Sequence, residues 1–105
     1  MDSKTENIIN ELIKEIRKVN KSFSGIYLFG SRARGDNNND SDYDLAMVFD
    51  NKLDTISKSN IRDIISDIML KNDILIDNPF VVRSDLENRI MPLYDNILNE
   101  GIYYT

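Results

Sequence analysis

Two small residues and two carboxylates carry the chemistry this chain is equipped for. Gly30-Ser31-Arg32-Ala33-Arg34-Gly35 follows four apolar residues, Ile26-Tyr27-Leu28-Phe29, and precedes Asp42-Tyr43-Asp44-Leu45. The apolar run between Gly25 and Gly30 predicts a short buried strand. A strand that ends in Gly-Ser and runs into a helical turn presents backbone N–H groups to an anion. Gly30 lets a phosphate approach without a Cβ in the way, the Ser31 hydroxyl adds a donor, and the guanidinium of Arg34, like that of Arg32, can neutralise triphosphate charge. Asp42 and Asp44, two apart on a strand, point the same way and can share one or two magnesium ions. A phosphate-sized turn upstream of paired carboxylates is the equipment of metal-assisted nucleotidyl transfer.

Such chemistry often draws a third acid from a neighbouring strand. Asp73, at the start of the third predicted strand, is the leading candidate, and Asp77 is the alternative because the two share strand parity. Three like charges in one pocket should raise one another's pKa as a coupled set until a cation binds. Each residue also has a bland reading: the Asp pair as turn-formers, Ser31 as an N-cap, Arg32 and Arg34 as surface partners of Asp36 or Asp40. The conjunction, with acid on a later strand, is what points to a site. A calcium loop fails in detail. Counted from Asp40, its sixth position is Leu45 instead of Gly and its twelfth is Asn51 instead of Glu, and a start at Asp36 puts Met47 twelfth. No Gly-Lys-Ser/Thr follows the glycines, which excludes a P-loop.

The charge pattern points the same way. Between Gly35 and Asp54 lie six acids (Asp36, Asp40, Asp42, Asp44, Asp50, Asp54) and one base, Lys52, while elsewhere twelve acids face twelve bases. The net charge of −5 is therefore the charge of one segment, which favours divalent cations and disfavours general nucleic-acid binding. Histidine is absent, so carboxylates, lysine, tyrosine or a metal-bound water must carry any proton transfer near neutral pH. Cysteine is absent too, which excludes disulfides and thiolate chemistry and fits a reducing, cytoplasmic setting. No long apolar run or leader-like start appears, so a soluble protein with no membrane role is expected.

The 105 residues suit one domain over 1–105, too small to add a separate substrate-binding domain. Ser3 to Glu6 has capping-box spacing, and Ile8, Ile9, Leu12, Ile13, Ile16 and Val19 follow at helical period, predicting a helix from Ser3 to Asn20. Ser31 to Gly35 reads as a helical turn, 36–41 as a polar loop, and Tyr43 to Phe49 as a strand. On that strand Tyr43, Leu45, Met47 and Phe49 share one face, and Asp42, Asp44, Ala46 and Val48 the other. A second helix is expected from Thr55 to Lys71. A third strand, from Ile74 to Val82, is interrupted at Asn78-Pro79, where proline removes a ladder donor. Ser84 to Glu87 repeats the capping-box spacing, and Pro92 to Glu100 followed by Gly101 predicts a final helix. Tyr103 and Tyr104 read as a docking edge or as the last packed residues. The order helix, strand, turn, strand, helix, strand, helix gives an α/β (α+β) fold with a small mixed sheet packed by helices.

Gly30-Ser31, ten intervening residues and Asp42-Tyr43-Asp44 resemble the GSx10DxD signature of the DNA polymerase β-like nucleotidyltransferase superfamily, and in particular its MNT-type minimal members. Asn72-Asp73-Ile74-Leu75-Ile76 resembles the family's third-acid strand. The resemblance implies a polymerase β palm-like fold, ATP as substrate held by Gly30 and Ser31, and two Mg2+ ions (or Mn2+) on Asp42, Asp44 and Asp73. Asp73 would also assist deprotonation of the attacking hydroxyl. It further implies transfer of AMP to a hydroxyl of a partner protein, as in antitoxins that modify HEPN-type toxins, and it leaves room for a homo-oligomer. The contrasting expectation is a non-catalytic antitoxin module that neutralises its partner by occlusion.

Overall fold

The isoleucine-rich stripe of the first helix, α1 (Ser3–Val19), is its buried face: Ile8, Ile9, Leu12, Ile13 and Ile16 are all core. The computed structural model describes residues 3–105. After α1 come β1 (Phe23–Phe29), the single turn α2 (Ser31–Arg34), β2 (Tyr43–Phe49) and α3 (Thr55–Asn72). Then follow β3 (Ile76–Asp77), β4 (Phe80–Val82), α4 (Arg83–Glu87), α5 (Pro92–Glu100) and β5 (Ile102–Tyr104).

The strands form one mixed sheet in the order β3-β2-β1-β5, with β4 also pairing β2. β1 is antiparallel to both β2 and β5, whereas β3 and β4 run parallel to β2. Both faces of β2 are covered, and the alternation read from the sequence assigns them. Tyr43, Leu45, Met47 and Phe49 pack with α1 and α3, joined by Ile61, Ile65 and Ile68. Ala46 and Val48 pack on the other side with Leu86, Tyr94 and Ile97 of α4 and α5. The result is a three-layered α/β domain. The side chain at 44 projects from the α5 face at the end of β2, where the cover of α5 runs out.

Several expectations are corrected. Ile74 and Leu75 are not strand. Asp73 adopts a left-handed conformation (φ 52°) and caps the C-terminus of α3, with its N–H directed at Leu70 and Met69 carbonyls. Aspartate is among the few non-glycine residues that adopt this conformation readily, so the helix ends one residue later than Asn72 suggested. The strand break at Asn78-Pro79 is real, and β3 and β4 lie along the same side of β2. Carbonyls outside the two strands continue that edge: Tyr43 N–H donates to Leu75 O (3.0 Å) and Met47 N–H to Pro79 O (2.9 Å). Proline is tolerated because only its acceptor is used. Ser3 and Ser84 are already helical, not capping. The cap position of α1 therefore falls outside the described residues, and Val82 precedes α4 with no side-chain bond. The last strand, β5, and the short α4 were not anticipated.

Candidate active site

Gly30 joins β1 to α2 at φ 73°, ψ −155°, a conformation that is essentially glycine's alone. Its N–H donates to Glu100 Oε1 (3.1 Å), and its carbonyl accepts from the N–H groups of Ala33 and Arg34 (both 3.1 Å), which closes the four-residue turn. A Cβ at residue 30 would overlap Asp44 Oδ2 and lie 3.0 Å from its Cγ. The glycine therefore serves two ends. It permits the turn and lets the Asp44 carboxylate lie directly on the backbone at the mouth of the cradle. Gly35, at φ 82°, ends the turn, and nothing lies within 4 Å of where its Cβ would be.

Register places the acids. Phe29 pairs with Asp44 across β1 and β2, and Asp44 pairs with Asp77 across β2 and β3. Gly30, Asp44 and Asp77 thus succeed one another across the end of the sheet, with Asp42 two residues from Asp44 at the mouth of β2. Burial raises the pKa of Asp44 above its ordinary value, and the neighbouring charges of Asp77 and Asp42 raise it further, against an opposing pull from Arg34. Like charge thus adds to burial at Asp44, and Asp77, not Asp73, is the partner on the adjacent strand. Asp73 instead lines a cleft of about 660 Å³ with Arg32, Asp42, Tyr43, Met69, Leu70 and Leu75, on the α3 side of β2. The two candidates do not share parity, because residues 73–75 are not strand.

Arg34 donates from Nε to Asp36 (3.0 Å) and from Nη1 to both oxygens of Glu100 (3.1 and 3.2 Å). Those two acids raise its pKa still further. Arg32 does not pair with Asp36 or Asp40: its guanidinium lies 3.9 Å from the Tyr43 ring centroid and donates to Ser41 O (2.8 Å), tying the 36–42 loop to β2. Ser31 lies half-buried behind Gly30, which occupies the N-cap position itself. Glu100 was missed by sequence reasoning. At the end of a helix, 70 residues from Gly30, it carried no local signal.

The carboxylate set offers hard oxygen donors of the kind magnesium takes, and the raised pKa of Asp44 is what a cation would relieve. Among the described residues, no three acids already converge to ligand spacing, so closing on a cation requires rotation of exposed side chains such as Asp42 and Asp77.

A turn that can cradle phosphate, set against acids at the end of a mixed sheet, defines a nucleotidyltransferase-type domain. The chain belongs to the family described as Polymerase beta, Nucleotidyltransferase, which it matches over residues 11–103. Its fold is shared with a toxin–antitoxin structure solved with AMP-PNP, at 24% identity and TM-score 0.65, covering 90% of this chain and 69% of that one. A chain assigned as a minimal nucleotidyltransferase matches over 97% of this chain and 95% of its own, at 21% identity and TM-score 0.65. A third similar structure is a tri-AMPylated Shewanella oneidensis HEPN toxin in complex with its MNT antitoxin, at 21% identity and TM-score 0.59, covering 93% and 69%. No curated protein matches. No helix among the described residues is long and apolar enough to cross a membrane.

Proposed function

We propose that this protein is a magnesium-dependent nucleotidyltransferase that moves AMP from ATP to a hydroxyl of a partner protein, with a HEPN-type toxin as that partner. The observation that carries the reading is the contact between the two halves of the motif, with Asp44 seated on Gly30 and level with Asp77. Asp42, Asp44 and Asp77 would hold the cations, with Asp77 in the role first read for Asp73. When bound, magnesium supplies charge stabilisation at the reacting phosphate.

The chain's own residues do the rest. The Gly30-Ser31 turn and Arg34 bind the triphosphate and hold the α-phosphorus beside Asp44. The partner hydroxyl oxygen attacks that phosphorus and its proton passes to the Asp77 carboxylate. A new P–O bond forms as the bond to the α,β-bridging oxygen breaks, and pyrophosphate leaves with the electron pair. The AMP-PNP and AMPylated complexes of similar fold support nucleotide and acceptor.

The test is transfer of label from α-phosphate-labelled ATP with magnesium to a co-expressed toxin-type partner, comparing wild type with Asp42→Asn/Asp44→Asn. A labelled partner band with wild type alone is expected. Stable partner binding without label in either protein would overturn the catalytic reading in favour of occlusion.

A further inference from the structure

Glu100 sits where a substrate should. Its carboxylate accepts from Gly30 N–H and from Arg34, two of the donors that the proposed function gives to the triphosphate. A backbone N–H donates one good hydrogen bond, so Glu100 and a phosphate oxygen cannot both have it. Nor is the carboxylate there for want of room elsewhere. It is partly exposed, and a half-exposed ion pair of this kind adds little to stability. It also lies near enough to Asp44 to add to the negative charge that burdens it. The fold thus holds one carboxylate within electrostatic reach of another.

Resting on the proposed nucleotide site, we propose that Glu100 is a resident anion that closes the phosphate cradle and must be displaced by the triphosphate. The backbone that carries it is fixed on both sides. Gly101 N–H donates to Ile97 O (2.8 Å), and Ile102 pairs with Leu28 of β1. A Cβ at Gly101 would press on Ile97 O and the Tyr27 ring, so α5 runs into β5 without slack. Opening is consequently a rotation of one side chain, not a movement of the helix. The chemistry that displaces it must offer more than a carboxylate does: several oxygens, higher charge and an accompanying cation to take up the repulsion from Asp44. ATP with magnesium meets all three conditions, whereas a simple carboxylate or AMP does not. The site is thereby selective for polyphosphates, and its affinity is lowered by the fraction of molecules that are closed.

Two readouts test this. The first is the Gly30 amide and Arg34 Nη resonances of ligand-free wild type, Glu100→Gln and Glu100→Ala, since Gly30 N–H and Arg34 Nη1 are the donors to Glu100. The second is the Kd of the magnesium complex of AMP-PNP for the same three proteins. Glu100→Ala should shift both resonances without ligand and bind the analogue roughly tenfold more tightly, as expected if about nine molecules in ten are closed, with Glu100→Gln between. The same Gly30 resonance should move when the analogue binds wild type. Equal or weaker binding by Glu100→Ala would overturn the proposal while leaving the nucleotide site intact. Failure of all three proteins to bind, whatever the resonances do, would overturn both.

Discussion

Replacing Gly30 by alanine should be among the most damaging single-methyl changes available to this protein, and the structure divides the cost into two parts. The backbone at φ 73°, ψ −155° is one a side chain enters only at about 1–3 kcal/mol. The added Cβ must also push away the Asp44 carboxylate, an overpacking cost of about 1–3 kcal/mol. The sum is on the order of 4 kcal/mol, a large share of the roughly 5–15 kcal/mol that keeps such a domain folded. Gly35→Ala is the internal control. Its φ is also positive, at 82°, but its Cβ would meet nothing within 4 Å, so only a backbone cost of about 1–2 kcal/mol applies. The assay is urea unfolding followed by circular dichroism on wild type, both glycine variants, Asp44→Ala and Gly30→Ala/Asp44→Ala. In the Asp44→Ala background the cost of Gly30→Ala should fall by about 2 kcal/mol, a coupling of the size seen between residues in contact. Additive costs, or equal losses for Gly30→Ala and Gly35→Ala, would refute the argument that the two halves of the motif are sterically interlocked.

Magnesium or manganese at about 100 times its Kd should stabilise the protein by roughly 2.7 kcal/mol, visible as a melting-temperature rise on the order of 10 °C. Asp44→Asn and Asp77→Asn should abolish that response and Asp73→Asn should keep it; the reverse pattern would restore Asp73 as the third acid. Without metal, the raised pKa of Asp44 means that its ionised form is disfavoured in the folded state, so its penalty is absent below its ordinary value of 3.8 and grows as pH rises through the higher folded value. Asp44→Asn should therefore melt above wild type at pH 7 in chelator, and the gap should close as the pH falls below 3.8. Tyr103→Phe removes the 2.7 Å bond between the Tyr103 hydroxyl and Ser24 Oγ and should cost about 1 kcal/mol in urea unfolding, with no change in the metal response.

The stretches in which chemistry and periodicity coincide were the legible ones. The α1 stripe and the two faces of β2 follow from apolar spacing, because burial on a fixed period leaves a mark in the residues themselves, and the span of α5 follows from Pro92 at its start and Gly101 at its end. Asp73 shows where that logic fails. Ile74-Leu75-Ile76 has the composition of a strand, but Asp73 ends α3 in a left-handed turn and the next two residues serve as the connection. Register, which is a property of two strands and not of one, then makes Asp77 the neighbour of Asp44. Glu100 was invisible for a related reason. Its partners are 66 and 70 residues away, and only the path of α5 over the sheet brings them together. The final strand lacked the length to announce itself, and Ile102, Tyr103 and Tyr104 acquire strand structure by pairing with β1.

The covering of β2 on both faces and its pairing along both edges also set a timescale. Amides of Leu45 through Phe49, sealed between two helical layers and flanked by β1 on one side and β3 and β4 on the other, should exchange with solvent only through the largest openings of the molecule. The Arg34 and Glu100 side chains and the 36–42 loop instead lie near solvent, and should sample new arrangements many orders of magnitude faster. Asp44 stands at the boundary between these regimes. The acid that anchors the site is fixed to the slowest part of the protein, while the groups that must admit, grip and release a ligand belong to the fastest.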